Sequence, residues 1–260
     1  MNKIAILITS FKRDNLLYQT IQGIVDNWSN DFGAIFVANQ SYQTDEEKAQ
    51  GETKFASTIN NSCNRPIYYY NLDFDCGLSY ARNFLVSKAS QHDFKYVIIS
   101  ADSIQFHQQY NFTNAIDFLE TKEDNGIIGF DLKDRISWER DIELVEGKYF
   151  HLKRPERRRI QFYGVNYQPI DICRNFFLAK TECLVNVHWN NDLKLGEHED
   201  FFFRFKHYGP YNVFYNKDIQ AIYVKSKPEE YMKYRSRLYT EFVPKLKKIY
   251  DIEGFVKYDH

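Results

Sequence analysis

Up to Ile99 the sequence alternates short β-rich runs with segments of helical periodicity, and few architectures accept that order. Lys3 to Ile8 reads as a buried strand, and Leu17, Ile21, Ile24, Val25 and Trp28 then recur at helical spacing behind Asp14, a candidate N-cap. Ala34 to Val37 gives a second strand, Asn39 to Lys54 a polar loop or weak helix, and Ile67 to Tyr70 a third strand. Leu78, Ala81, Arg82, Leu85, Val86 and Ala89 mark another helical face, with Tyr96 to Ile99 as a fourth strand directly after it. Strands separated by helices connect through right-handed crossovers, so the expected class is α/β, a mostly parallel, mixed sheet flanked by helices. Such sheets bind ligands outside the carboxyl ends of their strands, which makes the loops after Ile8, Val37, Tyr70 and Ile99 the rim to search.

The second half has a different texture. Asp134 to Gln161 carries Arg135, Arg140, Lys148, Lys153, Arg154, Arg157, Arg158 and Arg159 among few periodic apolar residues, which predicts a surface excursion or flap. Phe176 to Lys180 looks like a strand, Asp200 to His207 a short helix, and Asn212 to Tyr215 and Ala221 to Val224 two further strands. From Pro228 to Tyr250 runs a helical tail with Lys233, Arg235, Arg237, Lys245, Lys247 and Lys248. No repeat or low-complexity linker interrupts the chain, so the expectation is one domain over residues 1–227 with a basic helical appendage over 228–260.

Charge excludes some functions. With 34 Lys+Arg against 35 Asp+Glu there is no field to hold a polyanion, so nucleic acid is not expected as a partner. Aromatic residues reach 17%, enough to furnish a core and still offer rings for stacking on a sugar or base. Cys63, Cys76, Cys173 and Cys183 form no CxxC pair and no zinc-ribbon pattern, which fits reduced thiols, and the mixed set Cys173, Cys183, His188 and His198 follows no metal-ligand spacing. Only Ile4 to Ile8 are apolar before Thr9, too few for a secretory leader, and no stretch approaches the roughly 20 apolar residues of a membrane span. A cytoplasmic protein is expected. The basic segment from Pro228 suits peripheral contact with anionic lipid, which would bring the chain to a lipid-linked acceptor.

Neither GxGxxG nor GxxxxGK[ST] occurs, which removes dinucleotide dehydrogenases and P-loop NTPases. Thr9-Ser10-Phe11-Lys12-Arg13 follows the first strand instead, a cationic loop opening a helix and able to hold a diphosphate through N–H groups and charge. In Asp73 to Asn83, Gly77 permits a tight turn, and Arg82 and Asn83 then project toward the same rim unless Arg82 merely pairs with Asp73 or Asp75. Glu197-His198-Glu199-Asp200 places four ionisable groups in a row. Phe201, Phe202, Phe203 and Phe205 would anchor that turn in the core and aim its acids at one place, which favours a site over the other reading, a solvated helix start where the dipole attracts acids.

Taken in order, these segments resemble the GT-A-fold glycosyltransferases of the inverting, nucleotide-sugar-dependent class. The matching stretches are Thr9 to Arg13, Ala38-Asn39-Gln40-Ser41, Gly77-Leu78-Ser79-Tyr80-Ala81-Arg82-Asn83, Ser100-Ala101-Asp102-Ser103 and Gly196 to Phe202. The run from Trp189 to Arg204 is similar to N-acetylgalactosaminyltransferase-like and fukutin-related-like transferase domains. The resemblance spans roughly residues 3 to 237, with Asp134 to Gln161 outside it.

The resemblance implies transfer of a hexose or N-acetylhexosamine from a UDP-linked sugar to a glycan or lipid-linked saccharide, with inversion, as in polysaccharide biosynthesis. It implies donor contacts from Thr9, Arg13, Asn39, Asp75, Arg82, Asp102 and Arg235, with Asp102 holding Mn²⁺ or Mg²⁺. It implies a general base at Asp200 or Glu197, with His198 as a base or a metal ligand, and Trp189 as either an acceptor platform or core packing. The chain departs from the pattern at three places. Ala38 or Asn39 stands where an acid would hold uracil or ribose, Ser100 replaces the first acid of Asp-x-Asp, and no histidine follows near Val224-Lys225-Ser226. The diphosphate would then rest either on a metal held by one carboxylate or on Arg13, Arg82, Lys225, Arg235 and Arg237. Two rivals remain. A nucleotidyltransferase would carry a glycine in the Thr9 to Arg13 loop, and a non-catalytic nucleotide- or glycan-binding relative would explain Ala38 and Ser100.

Overall fold

The computed structural model describes residues 4–61, 64–133, 139–155 and 158–256; Cys63, Arg135 and Arg157 lie outside the described residues. The first half runs β1 (Ile4–Ser10), α1 (Asp14–Asp26), β2 (Phe32–Asn39), α2 (Asp45–Thr58), β3 (Ile67–Asn71), α3 (Leu78–Gln91), β4 (Tyr96–Ala101), β5 (Ile104–Gln105) and α4 (Thr113–Glu120). Then follow β6 (Asn125–Lys133), β7 (Asp141–Val145), β8 (Tyr149–Lys153), β9 (Ile160–Phe162), β10 (Val165–Ile170), β11 (Phe177–Lys180), α5 (Thr181–Asn186), α6 (Glu197–His207) and β12 (Asn212–Tyr223). The chain continues through α7 (Glu229–Arg235), a π-helical turn (Leu238–Phe242), α8 (Val243–Tyr250) and β13 (Gly254–Val256).

The main sheet has the order β3-β2-β1-β4-β11-β6-β12-β10-β9, with β5 beside β12. The expected α/β class with a mixed sheet is what forms. β1 pairs in parallel with β2 and β4, and β2 with β3, whereas β11 runs antiparallel to both β4 and β6. Every residue of β1 is buried, and the strand pleat sends alternate side chains to opposite layers. Ile4, Ile6 and Ile8 pack with Leu17, Ile21 and Ile24 of α1 and Ala115 and Leu119 of α4. Ala5 and Leu7 pack with Ala81 and Leu85 of α3, Leu184 of α5 and Phe201, Phe202 and Phe205 of α6. The β-α alternation thus aims the parallel strand tips and the first turns of α3 and α6 at one end of the sheet.

Four local readings are refined. Of the loop and the weak helix left open for Asn39 to Lys54, the helix forms, over Asp45–Thr58, held by a capping box between Thr44 and Glu47; Gly51 alone of its residues is buried, so no apolar period marks it. Arg13 occupies the N-cap position of α1, and Asp14 sits inside the first turn, where its carboxylate accepts from Asn39 Nδ2 at 3.0 Å and Tyr42 Oη at 2.7 Å. The basic excursion contains an antiparallel hairpin, β7-β8, to which β13 adds as a parallel third strand. Asn212 to Tyr223 is one strand with an irregularity between Asn216 and Gln220, not two strands.

The segment from residue 228 is helical, as expected, and it is packed into the domain. Phe242, Leu246 and Ile252 are buried in the core that contains α3 and α6. Among the described residues no helix is long and apolar enough to cross a membrane.

Candidate active site

At the carboxyl end of the parallel strands lies a cavity of about 500 Å³. Thr9, Phe11 and Arg13 enter it from the β1 tip, Ala101 and Ser103 from the β4 tip, and Gly77, Leu78 and Arg82 from the start of α3. Gly196, Glu197, His198 and Glu199 bring the first turn of α6, and Tyr231, Tyr234, Arg235 and Arg237 close it from α7 and the residues just after. Two glycines make this convergence possible. Gly77 (φ 98°) and Gly196 (φ 75°) stand in front of α3 and α6 with positive φ, and a Cβ there would come within 2.7 Å of Lys194 Cγ and 2.8 Å of Leu246 Cδ1 respectively.

Asp102 lies immediately behind the cavity wall, fully buried. Arg13 grips it twice, Nη2 to Oδ1 at 2.6 Å and Nε donating to Oδ2 at 3.1 Å, while Ser10 Oγ donates to Oδ2 at 3.0 Å. Thr20 Oγ1 donates to the Asp102 carbonyl at 2.8 Å. Burial pushes the Asp102 carboxyl up to about 6 even against the attraction of Arg13 and the hydrogen bonds. The Arg13 guanidinium also lies 4.4 Å from the centroid of the Tyr231 ring, so Asp102 and α7 together fix the cation that faces the cavity. Oδ2 thus takes both side-chain hydrogen bonds, and Oδ1 keeps only its ion-pair contact with Arg13; with the Arg13 cation seated against it and no exposed surface, this carboxylate does not fit a resident divalent ion, which requires oxygen lone pairs turned toward it.

Arg82 and Glu197 form a second buried pair, Nη1 to Oε1 at 2.9 Å, with the side chains 3% and 6% exposed. The Arg82 guanidinium sits 5.4 Å from the Trp189 ring, which stacks on Phe201 at 4.2 Å. Trp189 is 1% exposed, so it packs the floor beneath this pair and presents no face to an acceptor sugar. Asn83 ties the same floor down, its Nδ2 donating to the Trp189 carbonyl at 2.8 Å and its Oδ1 accepting from the Trp189 N–H at 2.9 Å.

The four ionisable residues that open α6 separate by environment. Asp200 is fully buried away from the cavity lining, held by Arg204 Nη2 and Nε at 2.8 and 3.0 Å and by Tyr250 Oη at 2.6 Å. Glu197 is committed to Arg82. His198 lines the cavity with its ring edge-on to Phe202 at 5.1 Å. Glu199 lines it too, without an ion-pair partner among the described residues. Desolvation pushes its carboxyl up to about 7; Glu197 adds to the rise, while its own backbone N–H and Arg235 oppose it. Because Tyr250 donates to a buried anion, Tyr250→Phe is expected to cost about 1.5–3 kcal/mol of stability, read as a lower urea midpoint with unchanged nucleotide binding.

Asp75 bridges two cations. Arg237 Nη2 donates to its Oδ1 and Oδ2 at 3.2 and 3.0 Å, and Lys194 Nζ reaches Oδ2 at 3.2 Å and also the Asp75 carbonyl. With Tyr234 against Phe11 and Phe74 at 5.0 and 5.7 Å, and Lys12 paired with Glu230 at 3.0 Å, these contacts fasten the C-terminal segment over the strand tips.

Thr9, Arg13, Asp75, Arg82 and Arg235 from the sequence-derived set line the cavity, as do Glu197 and His198. Asn39 does not; it is fully buried, with Nδ2 donating to Asp14 and to Tyr69 Oη at 2.8 Å, and Oδ1 accepting from the Ser41 N–H at 3.0 Å. Its neighbour Gln40 faces the cavity instead, Oε1 accepting from the Gly77 N–H at 2.7 Å. Gln40, Lys194 and Tyr231 were not singled out by sequence reasoning.

This arrangement, a parallel β-α half continued by an antiparallel half with a cavity at the strand tips, is a GT-A-like fold. No family model matches the sequence, and no curated protein matches it. Solved structures do match by fold. The mannosyltransferase PcManGT from Pyrobaculum calidifontis, in complex with GDP-Man and Mn²⁺, aligns over 95% of this chain and 64% of its own with a TM-score of 0.62 at 13% identity. GalNAc-T7 with UDP, GalNAc and Mn²⁺ aligns over 98% of this chain and 55% of its own, with a TM-score of 0.62 at 10% identity. TarS residues 1-349 from S. aureus align over 85% and 60%, with a TM-score of 0.53 at 10% identity. This chain thus spans under two thirds of each of these solved chains.

Proposed function

We propose that the chain is a glycosyltransferase that moves a hexose or N-acetylhexosamine from a nucleoside-diphosphate sugar, UDP-linked, to a hydroxyl of a glycan or lipid-linked saccharide, with inversion. What supports this above all is that one cavity carries both halves of the chemistry. Cations at the strand tips and α7 suit a departing diphosphate, and the first turn of α6 supplies Glu199, a carboxyl poised near neutrality. In the reaction the acceptor oxygen bonds to the anomeric carbon and the acceptor proton passes to Glu199. The bond from that carbon to the diphosphate oxygen breaks, and its electron pair leaves with the nucleoside diphosphate. Glu199 replaces Asp200 and Glu197 in the role of base because their carboxylates are already bound to Arg204 with Tyr250, and to Arg82.

The base must be ionised to accept a proton, so its raised carboxyl sets the acid limb. We expect nucleoside diphosphate release from UDP- and GDP-sugars, assayed with saccharide acceptors, to rise with pH with a midpoint near the value of about 7 set for Glu199. Release from no donor at any pH, with binding intact, would favour a non-catalytic binding protein.

A further inference from the structure

We infer that this site holds the donor's diphosphate on fixed cations, without a divalent ion; the inference rests on the donor site proposed above. A metal in such a site neutralises the charge that develops on the leaving diphosphate as its bond to the anomeric carbon breaks. To hold a Mg²⁺-sized ion the protein must offer carboxylate oxygens at about 2.0–2.1 Å with lone pairs turned toward it. At the tip of β4 the two positions that would supply them are Ser100, an uncharged and buried hydroxyl, and Asp102, which has no exposed surface, whose Oδ2 accepts from Arg13 and Ser10 and whose Oδ1 is faced by the Arg13 cation at 2.6 Å. Freeing Asp102 for an ion would strand the Arg13 charge and break a pair buried at its acidic end.

The same wall supplies the alternative. Among the described residues seven lysine and arginine side chains line the cavity against three carboxylates, Asp75, Glu197 and Glu199, so positive charge is left over even after Asp102 is counted behind Arg13. Asp75 is shared between Lys194 and Arg237 and balances only one of them. Lys227 and Arg235 are exposed side chains on the cavity rim, the latter near Tyr231 Oη at 3.4 Å. Guanidinium groups bind phosphate oxygens through paired N–H donors and keep their charge at every working pH. Arg13, held by Asp102 and the Tyr231 ring, and Arg237, held by Asp75 and the Tyr234 ring, need no reorganisation as the leaving group develops charge, and Lys227 and Arg235 add to their field from the rim.

The test is calorimetric titration of the full chain, stripped of metal, with UDP and with GDP, in EDTA and again in Mn²⁺. The inference expects at least one nucleotide to bind in EDTA, with a dissociation constant that Mn²⁺ changes by less than about threefold. It also expects the Arg235→Gln/Lys227→Gln double variant, altered only at exposed positions, to bind at least about tenfold more weakly in both buffers, with an affinity in the parent that falls as salt rises. Binding that appears only with Mn²⁺ overturns the inference and leaves the nucleotide-sugar reading intact. Binding in EDTA that the double variant does not weaken overturns the assignment of the cations. Absence of binding in either buffer overturns the donor site itself.

Discussion

Glu199→Gln is expected to slow sugar transfer by about 10²–10⁴-fold, the range over which a positioned general base acts, while nucleoside diphosphate affinity stays within a small factor of the parent. Glutamine keeps the shape of the side chain and removes only its capacity to take a proton, so the loss should fall on kcat. The pH profile supplies the decisive readout. The parent's acid limb arises from a carboxyl raised to about 7 chiefly by desolvation, and it should vanish in the variant because the titrating group is gone. Two controls separate this role from its neighbours. Asp200→Asn should lower stability, since Arg204 and Tyr250 lose their anion, yet leave the midpoint of the profile where it was. Glu197→Gln should leave Arg82 short of its buried counter-charge and raise KM for the donor more than it lowers kcat. If the limb persists in Glu199→Gln and disappears in Asp200→Asn, the assignment of the base is wrong and the carboxylate beneath must reach the cavity by rearrangement.

The parts of the fold that could be read from the chain are those with a local signature. β1 is apolar from Ile4 to Ile8 because it is buried on both faces, and the helical period of α1 and α3 reports the single face each lays on the sheet. α2 left no such trace, since a helix with almost no buried side chain has no apolar period; its capping box at Thr44 and Glu47 was the signal available. The acid cluster was visible as a motif, but which acid faces the cavity depends on what lies beneath. Arg204 one turn on and Tyr250 from α8 claim Asp200, and only the second of these partners is distant in sequence. The clasp formed by Tyr231, Tyr234 and Arg237 was read as a basic tail because its partners, Arg13, Phe11, Phe74 and Asp75, lie more than 150 residues earlier. Likewise Trp189 looks the same in sequence whether it lines a subsite or a floor; its stacking on Phe201 decides for the floor.

Arg13→Ala is expected to be the most destabilising single change at the site, by about 3–5 kcal/mol near pH 8, because it leaves a buried carboxylate without its counter-charge, with the Ser10 hydroxyl and the Phe11 backbone N–H as neutral donors. The sign of its pH dependence follows from the carboxyl. Asp102 is raised from 3.8 to about 6 in the fold, so the folded chain prefers it protonated, and this group's contribution to stability declines as pH rises from about 4 through 6. Arg13 is the strongest influence holding the carboxyl down, so its removal drives the value higher and extends that decline. At pH 5 Asp102 is largely neutral with or without Arg13, and the penalty should shrink; at pH 8 it should be complete. Urea midpoints at the two pH values check this. The double variant Arg13→Met/Asp102→Leu removes both charges and should recover most of the stability, since exchanging a buried ion pair for apolar side chains is often neutral or favourable. It should nevertheless bind UDP and GDP much more weakly than the parent, because the guanidinium that faces the cavity has gone. Restored folding with weak binding shows that Asp102 serves to hold Arg13 for an anion; restored folding with undiminished binding shows that the pair is structural and that the diphosphate rests elsewhere in the cavity.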